Sequence, residues 1–124
     1  MKILNLTQHS LTASQIEAGC FEPEEADKER LKVLLTFEEL PTMFDFTCNA
    51  IEIAGIARKY KCEDVMIGGH LDFMIYLIVR LRASGMRPRS SFTKRNIVEV
   101  HNPDGTVTKT QMFQHAGWTF PMEF

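Results

Sequence analysis

The chain has 124 residues, 44% apolar and 24% charged, enough for one core and too few for two full domains. That composition excludes a disordered chain, whose low apolar content could not offset ordering entropy. A formal net charge of −2 excludes a general polyanion binder, although residues 1–64 carry 12 acids against 7 bases and residues 65–124 carry 4 against 7.

Lys2 to Thr7 is an apolar run closed by polar residues and predicts a strand. Ser14 and Glu17 stand at capping-box spacing and predict a short helix that Gly19 ends. Glu22 to Leu35 opens on Pro23 and acids and closes on Leu31, Leu34 and Leu35, a second helix. Pro41 introduces a third, over about 42–60, in which Phe46, Ala50, Ile53, Ala57 and Tyr60 recur every three or four residues. Asp64 to Ile67 predicts a buried strand, stopped by Gly68-Gly69. His70 to Ser84 predicts an apolar helix with Gly85 just past its end. Its apolar residues cover more than one face, which predicts a homodimer. Ser91–Thr93 and Ile97–Val100 predict strand, and Asn102-Pro103-Asp104-Gly105 a turn that returns through Thr106–Phe113 as a hairpin. The order predicts an α/β fold: a single domain over residues 1–124, with a mostly parallel sheet and a C-terminal β-hairpin.

The longest apolar stretch, Phe73 to Val79, is too short to cross a bilayer, and no membrane partner is expected. Three cysteines without a CxxC pair suit a reducing compartment, so a cytoplasmic location is expected. The histidines show no HxH or HxxxH spacing, so neither a metal nor a cofactor is expected.

Three segments could carry chemistry. Gly68-Gly69-His70 joins a strand to a helix and would offer free backbone N–H groups to a phosphate. It equally suits a plain tight turn, and neither GxGxxG nor GxxxxGK[ST] is present. Thr7, Gln8, His9 and Ser10 close the first strand. Thr7 and Ser10 could bind a substrate, and His9 and Gln8 are the candidates for catalysis, the imidazole as general acid or base; a polar turn explains them as well. Ser91, Thr93, Lys94 and Arg95 combine hydroxyls with cations, the means of holding a phosphodiester, or form a solvated strand end. Lys94 and Arg95 belong to six bases that fall within residues 80–95, where no acid occurs. In a parallel sheet these three strand ends would converge on one edge, and a phosphorylated or nucleotide-like small ligand is expected there rather than a long nucleic acid.

The opening ILNLTQHSLTASQIEAG, the strand–Gly–apolar helix–Gly order of the second half, PDGTVTKT and FQHAGW together resemble small stand-alone CRISPR-associated proteins with a CARF-like Rossmann domain. The resemblance covers residues 1–19 and 63–120 and leaves 20–62 unmatched. It implies binding of a cyclic oligoadenylate at a dimer seam, with metal-independent cleavage (ring-nuclease activity) as a further step. The positions it carries over are Thr7, Gln8 and His9, Gly69 and His70, and Ser91, Thr93 and Lys94. Gly68–Asp72 departs from the hydroxyl- or amide-rich turn of that family, a departure that bears on cleavage rather than on fold. The alternative is a non-enzymatic α/β homodimeric interaction module of a phage or other mobile genetic element.

Overall fold

A computed structural model describes residues 1–121. Three short segments, β1 (Ile3–Asn5), β2 (Cys20–Phe21) and β3 (Asp64–Met66), pair in parallel, with β1 between the other two. β4 (Arg87–His101) joins β3 in parallel through Arg87–Arg89 only, then runs on antiparallel to β5 (Val107–Thr119). The sheet order is β2-β1-β3-β4-β5. The fold is therefore α/β, with a mostly parallel sheet and a C-terminal antiparallel hairpin.

Side chains alternate across a strand, and here each face has its own core. Leu4, Val65 and Ile67 meet α2 (Glu25–Leu35), α3 (Met43–Arg58) and α4 (Leu71–Ala83) through Leu31, Ile53, Phe73, Leu77 and Leu81. Ile3, Cys20 and Met66 face the other way, under Leu11 and Trp118, beside the five-residue α1 (Ala13–Glu17). The β1-to-β2 connection runs opposite to the β2-to-β3 connection, and right-handed crossovers then place their helices on opposite faces.

The helix ends follow local chemistry. α1 starts on a capping box made by Thr12 and Gln15 rather than Ser14 and Glu17. Gly19 fixes where the helix stops, so the earlier of two overlapping boxes gains backbone hydrogen bonds. α3 starts on a Thr42/Asp45 box. α4 closes as a Schellman motif: Gly85 (φ +81°) donates to the Arg82 carbonyl and buried Met86 to that of Leu81.

Two strand assignments differ from the sequence reading. β2 has only two residues, too few to show a period. The parallel part of β4 is Arg87-Pro88-Arg89, upstream of the expected Ser91–Thr93. Its arginines reach Asp64 across the strand pair, while Pro88 lies where β5 does not pair, so its missing N–H costs no ladder bond. Beyond the sheet, the paired arms from Phe92 to Gln114 form an exposed ribbon closed by the Asn102–Gly105 turn.

Gly19 holds β2 in place. Its φ is +106°, a Cβ there would run into the Met1 carbonyl, and its own carbonyl accepts from Ile3 N at 3.0 Å. Gly19→Ala is expected to cost about 1–3 kcal/mol through backbone strain. Urea unfolding checks this, and an unchanged midpoint would show that the chain edge relaxes freely.

Candidate functional site

Adjacent strands whose connections leave in opposite directions open a crevice at their carboxyl ends. β1 and β3 are such a pair. The loops after them touch: a Cβ on Gly68 would lie 3.5 Å from Thr7 Cγ2. Gly69 leaves room for Met74 Cε and Leu35 Cδ2, which would stand 3.2 and 3.6 Å from its Cβ. Two of the three expected segments, Thr7–Ser10 and Gly68–His70, thus meet here.

The loop after β1 is shaped by a polar network on fully buried Asn5. Its Nδ2 donates to the His9 carbonyl (2.9 Å) and to Glu22 Oε1 (2.6 Å), and its Oδ1 accepts from Thr7 N (2.9 Å) and Thr7 Oγ1 (2.7 Å). Lys28 Nζ donates to the carbonyls of Thr7 (2.8 Å) and His9 (2.7 Å) and to Glu22 Oε1 (3.2 Å). Glu22 Oε2 accepts from Leu11 N. All three Lys28 donors are used, so its charge fixes the loop instead of meeting a ligand. Thr7 is held through its main chain and its hydroxyl, and His9 through its main chain, while His9 and Ser10 are exposed.

On the helical side, Gln8 Oε1 accepts from Thr36 Oγ1 at 3.3 Å, past the end of α2. His70 is the N-cap of α4, and its ring lies 6.2 Å from Phe37 and 6.0 Å from Phe46. Among the described residues no side chain caps this helix start, although Asp72 stands in its first turn.

The third segment joins only in part. Ser91 sits just beyond the sheet, hydrogen-bonded to His115 and near Thr93. Lys94 and Arg95 lie out on the ribbon, with Arg95 over the Phe113 ring, roughly 15–20 Å along the strand from the last β3 contact at 3.3 Å per residue. The six bases do not form one patch. Arg82 donates to the Pro121 carbonyl, and Arg87 and Arg89 share Asp64. A central parallel strand and a protruding ribbon cannot present consecutive bases to one point.

Asn5, Glu22 and Lys28 are the members of this site that sequence reasoning missed as a set. Asn5 was visible as a polar residue in an apolar run. Glu22 and Lys28 act mainly on main-chain carbonyls and amides, which leave no motif. Asn5→Ala is expected to destabilise the protein by about 1–3 kcal/mol for each buried group left unpaired, foremost the Thr7 hydroxyl and amide. Denaturant unfolding reads this, and a loss under 0.5 kcal/mol would mean that water replaces the amide.

Comparison with known sequences follows the whole of this architecture. The chain belongs to the Uncharacterized protein MJ1673 family, whose profile matches residues 1–119. Nothing in that match links it to CRISPR-associated or CARF domains. No curated protein and no solved structure matches the chain.

Proposed function

We propose that this member of the MJ1673 family binds a nucleotide-type phosphodiester in the β1/β3 crevice. The observation that carries the reading is a rigid polar loop, locked by Asn5 and Lys28, set against the glycine turn and uncapped start of α4 at a topological switch point. Gln8, His9 and His70 are its ligand-facing side chains. The resemblance of the opening and the hairpin to CARF-like proteins names a cyclic oligoadenylate as the ligand to try first.

A second copy fits this reading. Leu40, Met43, Phe44, Leu71, Ile75 and Val79 are all more than half exposed. Ile75 and Val79 line a groove of about 370 Å³ between α3 and α4, Leu71 follows His70 at the start of α4, and Met43 and Phe44 open α3. A two-fold axis through that stripe would set two crevices side by side, as a two-fold-symmetric ligand needs. The same stripe alone favours the interaction-module reading, in which dimerisation is the function.

Cleavage in this reading uses the ligand's own 2′-hydroxyl as nucleophile. Its oxygen bonds to the neighbouring phosphorus, the bond from phosphorus to the 5′-oxygen breaks to leave a 2′,3′-cyclic phosphate, and His9 passes the hydroxyl proton to the departing 5′-oxygen. Thermal unfolding with cyclic tetra- and hexa-adenylate tests binding, because a ligand that binds only the folded chain stabilises it by about 2.7 kcal/mol at a hundredfold excess over Kd. Gln8→Ala and His70→Ala should remove that stabilisation. Lys94→Ala should leave it within about 0.5 kcal/mol, as for a surface change away from the site. Loss of turnover in His9→Ala with binding retained supports its role; turnover at the wild-type rate in that variant removes it. No binding by either ligand would leave the interaction module, for which light scattering at tens of micromolar should report a dimer.

A further inference from the structure

The outer edge of the ribbon has no partner strand among the described residues. β5 is the last strand of the sheet order and pairs only with β4. In an antiparallel ladder, opposed residues alternate between hydrogen-bonded and non-hydrogen-bonded pairs. The phase is fixed at the turn, where Asn102 N donates to the Thr106 carbonyl at 2.8 Å. Counted in twos from there, Thr108, Thr110, Met112 and Gln114 turn their main-chain groups toward β4. Val107, Lys109, Gln111 and Phe113 turn theirs outward. His115 is next in that outward series, and its N–H donates to Ser14 Oγ at 3.1 Å. The phase is therefore consistent along the strand, and α1 takes over the edge at His115. Ala116 then bulges out of register between His115 and Gly117. The free edge is Val107–Phe113, bounded by the turn at one end and by Ser14 at the other.

Natural sheets blunt such edges with charge, proline or cover. The β4 arm of the ribbon carries Lys94, Arg95 and Glu99, whereas Val107–Phe113 has one charge, Lys109, and no proline. Ile97, Val107 and Phe113 are exposed on one face of the ribbon, and Val100 and Met112 on the other. Two strands alone are marginal in water, and a wider sheet is the usual remedy.

We propose that the Val107–Phe113 edge pairs antiparallel with the same edge of a second copy, across a two-fold axis at Thr110, so that two ribbons form one four-stranded sheet. An axis at the midpoint uses the whole free segment. Val107 then meets the partner's Phe113, and Lys109 the partner's Gln111, as hydrogen-bonded pairs, with about eight main-chain bonds at two per pair. Thr108 meets the partner's Met112, and the two Thr110 residues meet on the axis. Valine against an aromatic ring and threonine against threonine are favourable cross-strand pairs, and no like charges are opposed. The neighbouring registers fare worse. An axis at Lys109 faces lysine with lysine, and an axis at Gln111 needs the His115 N–H that Ser14 holds. This contact lies apart from the crevice and from the α3/α4 stripe, and failure of nucleotide binding leaves it untouched.

Amide hydrogen exchange on the wild-type chain at tens of micromolar tests it. The outward amides of Val107, Lys109, Gln111 and Phe113 should be protected, and the protection should fall on dilution. The outward amides of β4, at Arg95, Ile97, Glu99 and His101, should exchange freely. Under mild oxidation, Thr110→Cys should join two chains at the substituted position, because non-hydrogen-bonded partners have Cα atoms about 4.5 Å apart. Thr108→Cys lies on the same face, but its two copies would stand about 13 Å apart along the strands, and it should not cross-link. Peptide mapping separates these products from disulfides at the exposed Cys48. Exchange of the β5 amides as fast as those of β4, or cross-linking of the two variants to the same extent, overturns the proposal. A dimer joined only through α3/α4 leaves the β5 amides unprotected and counts with those results. Exchange is read on the wild type, so a variant that fails to fold does not decide the matter.

Discussion

One buried amide organises the carboxyl edge of this protein. Asn5 ends β1 with no solvent to bond to, so its two N–H groups and its oxygen must all find partners within the chain. Finding them closes the Thr7–His9 loop and ties it to Glu22 beyond β2 and, through Glu22, to Lys28 on α2. A network of this kind stiffens its surroundings when complete and costs free energy when any member is removed. Three separate pieces of chain are therefore set by one side chain, and with them the wall of the crevice against Gly68.

The two faces of the sheet are stabilised differently. Three helices cover one face with aliphatic and aromatic side chains. The other has α1, Leu11 and a layer built on charge: buried Arg89 pairs with Asp64 and lies 5.3 Å from the Trp118 ring centre and 4.7 Å from that of Phe120. A buried guanidinium with one charged partner is weakly stabilising at best, and its Nε finds no acceptor among the described residues. What it provides is position. An isolated two-stranded hairpin is marginal in water, and this clamp fixes the base of the ribbon where β5 returns to the sheet. Ser91 lies two residues past Arg89 and His115 three before Trp118, so the clamp also sets the geometry of that pair.

The helices, the central strands and the hairpin were legible because periods of 3.6 and 2, Pro41, Gly85 and the Asn-Pro-Asp-Gly turn are local signals. β2 was not, since two residues between Gly19 and Pro23 carry no period. Its absence hid the reversal of strand order that defines the switch point. Arg87-Pro88-Arg89 was hidden for another reason: charge and proline argue against a strand, and only Asp64 opposite explains the arginines. Of the site, the Thr7–Ser10 and Gly68–His70 turns could be read as strand ends. Their scaffold could not, because Lys28 bonds to carbonyl oxygens 19 and 21 residues away. The link from Ser91 to His115 depends on a bulge, and a bulge shifts register without changing composition.

The loss of a basic patch changes how an anion would be held. The arginines near the sheet are engaged with Asp64 and with the Pro121 carbonyl, and Lys28 is saturated by the β1 loop. Charge for a phosphodiester in the crevice must then come from backbone N–H groups and the positive end of α4, opposed locally by Asp72. Dipoles of that kind act over a single turn and are weaker than a cluster of cations. On the proposed reading, a single crevice would be a modest anion site. Two of them, brought together across the apolar α3/α4 stripe, would double the donors facing a symmetric ligand. In that reading the proposed dimer contact and the proposed binding site become one problem, and the exposed Leu71 beside His70 is where they would meet.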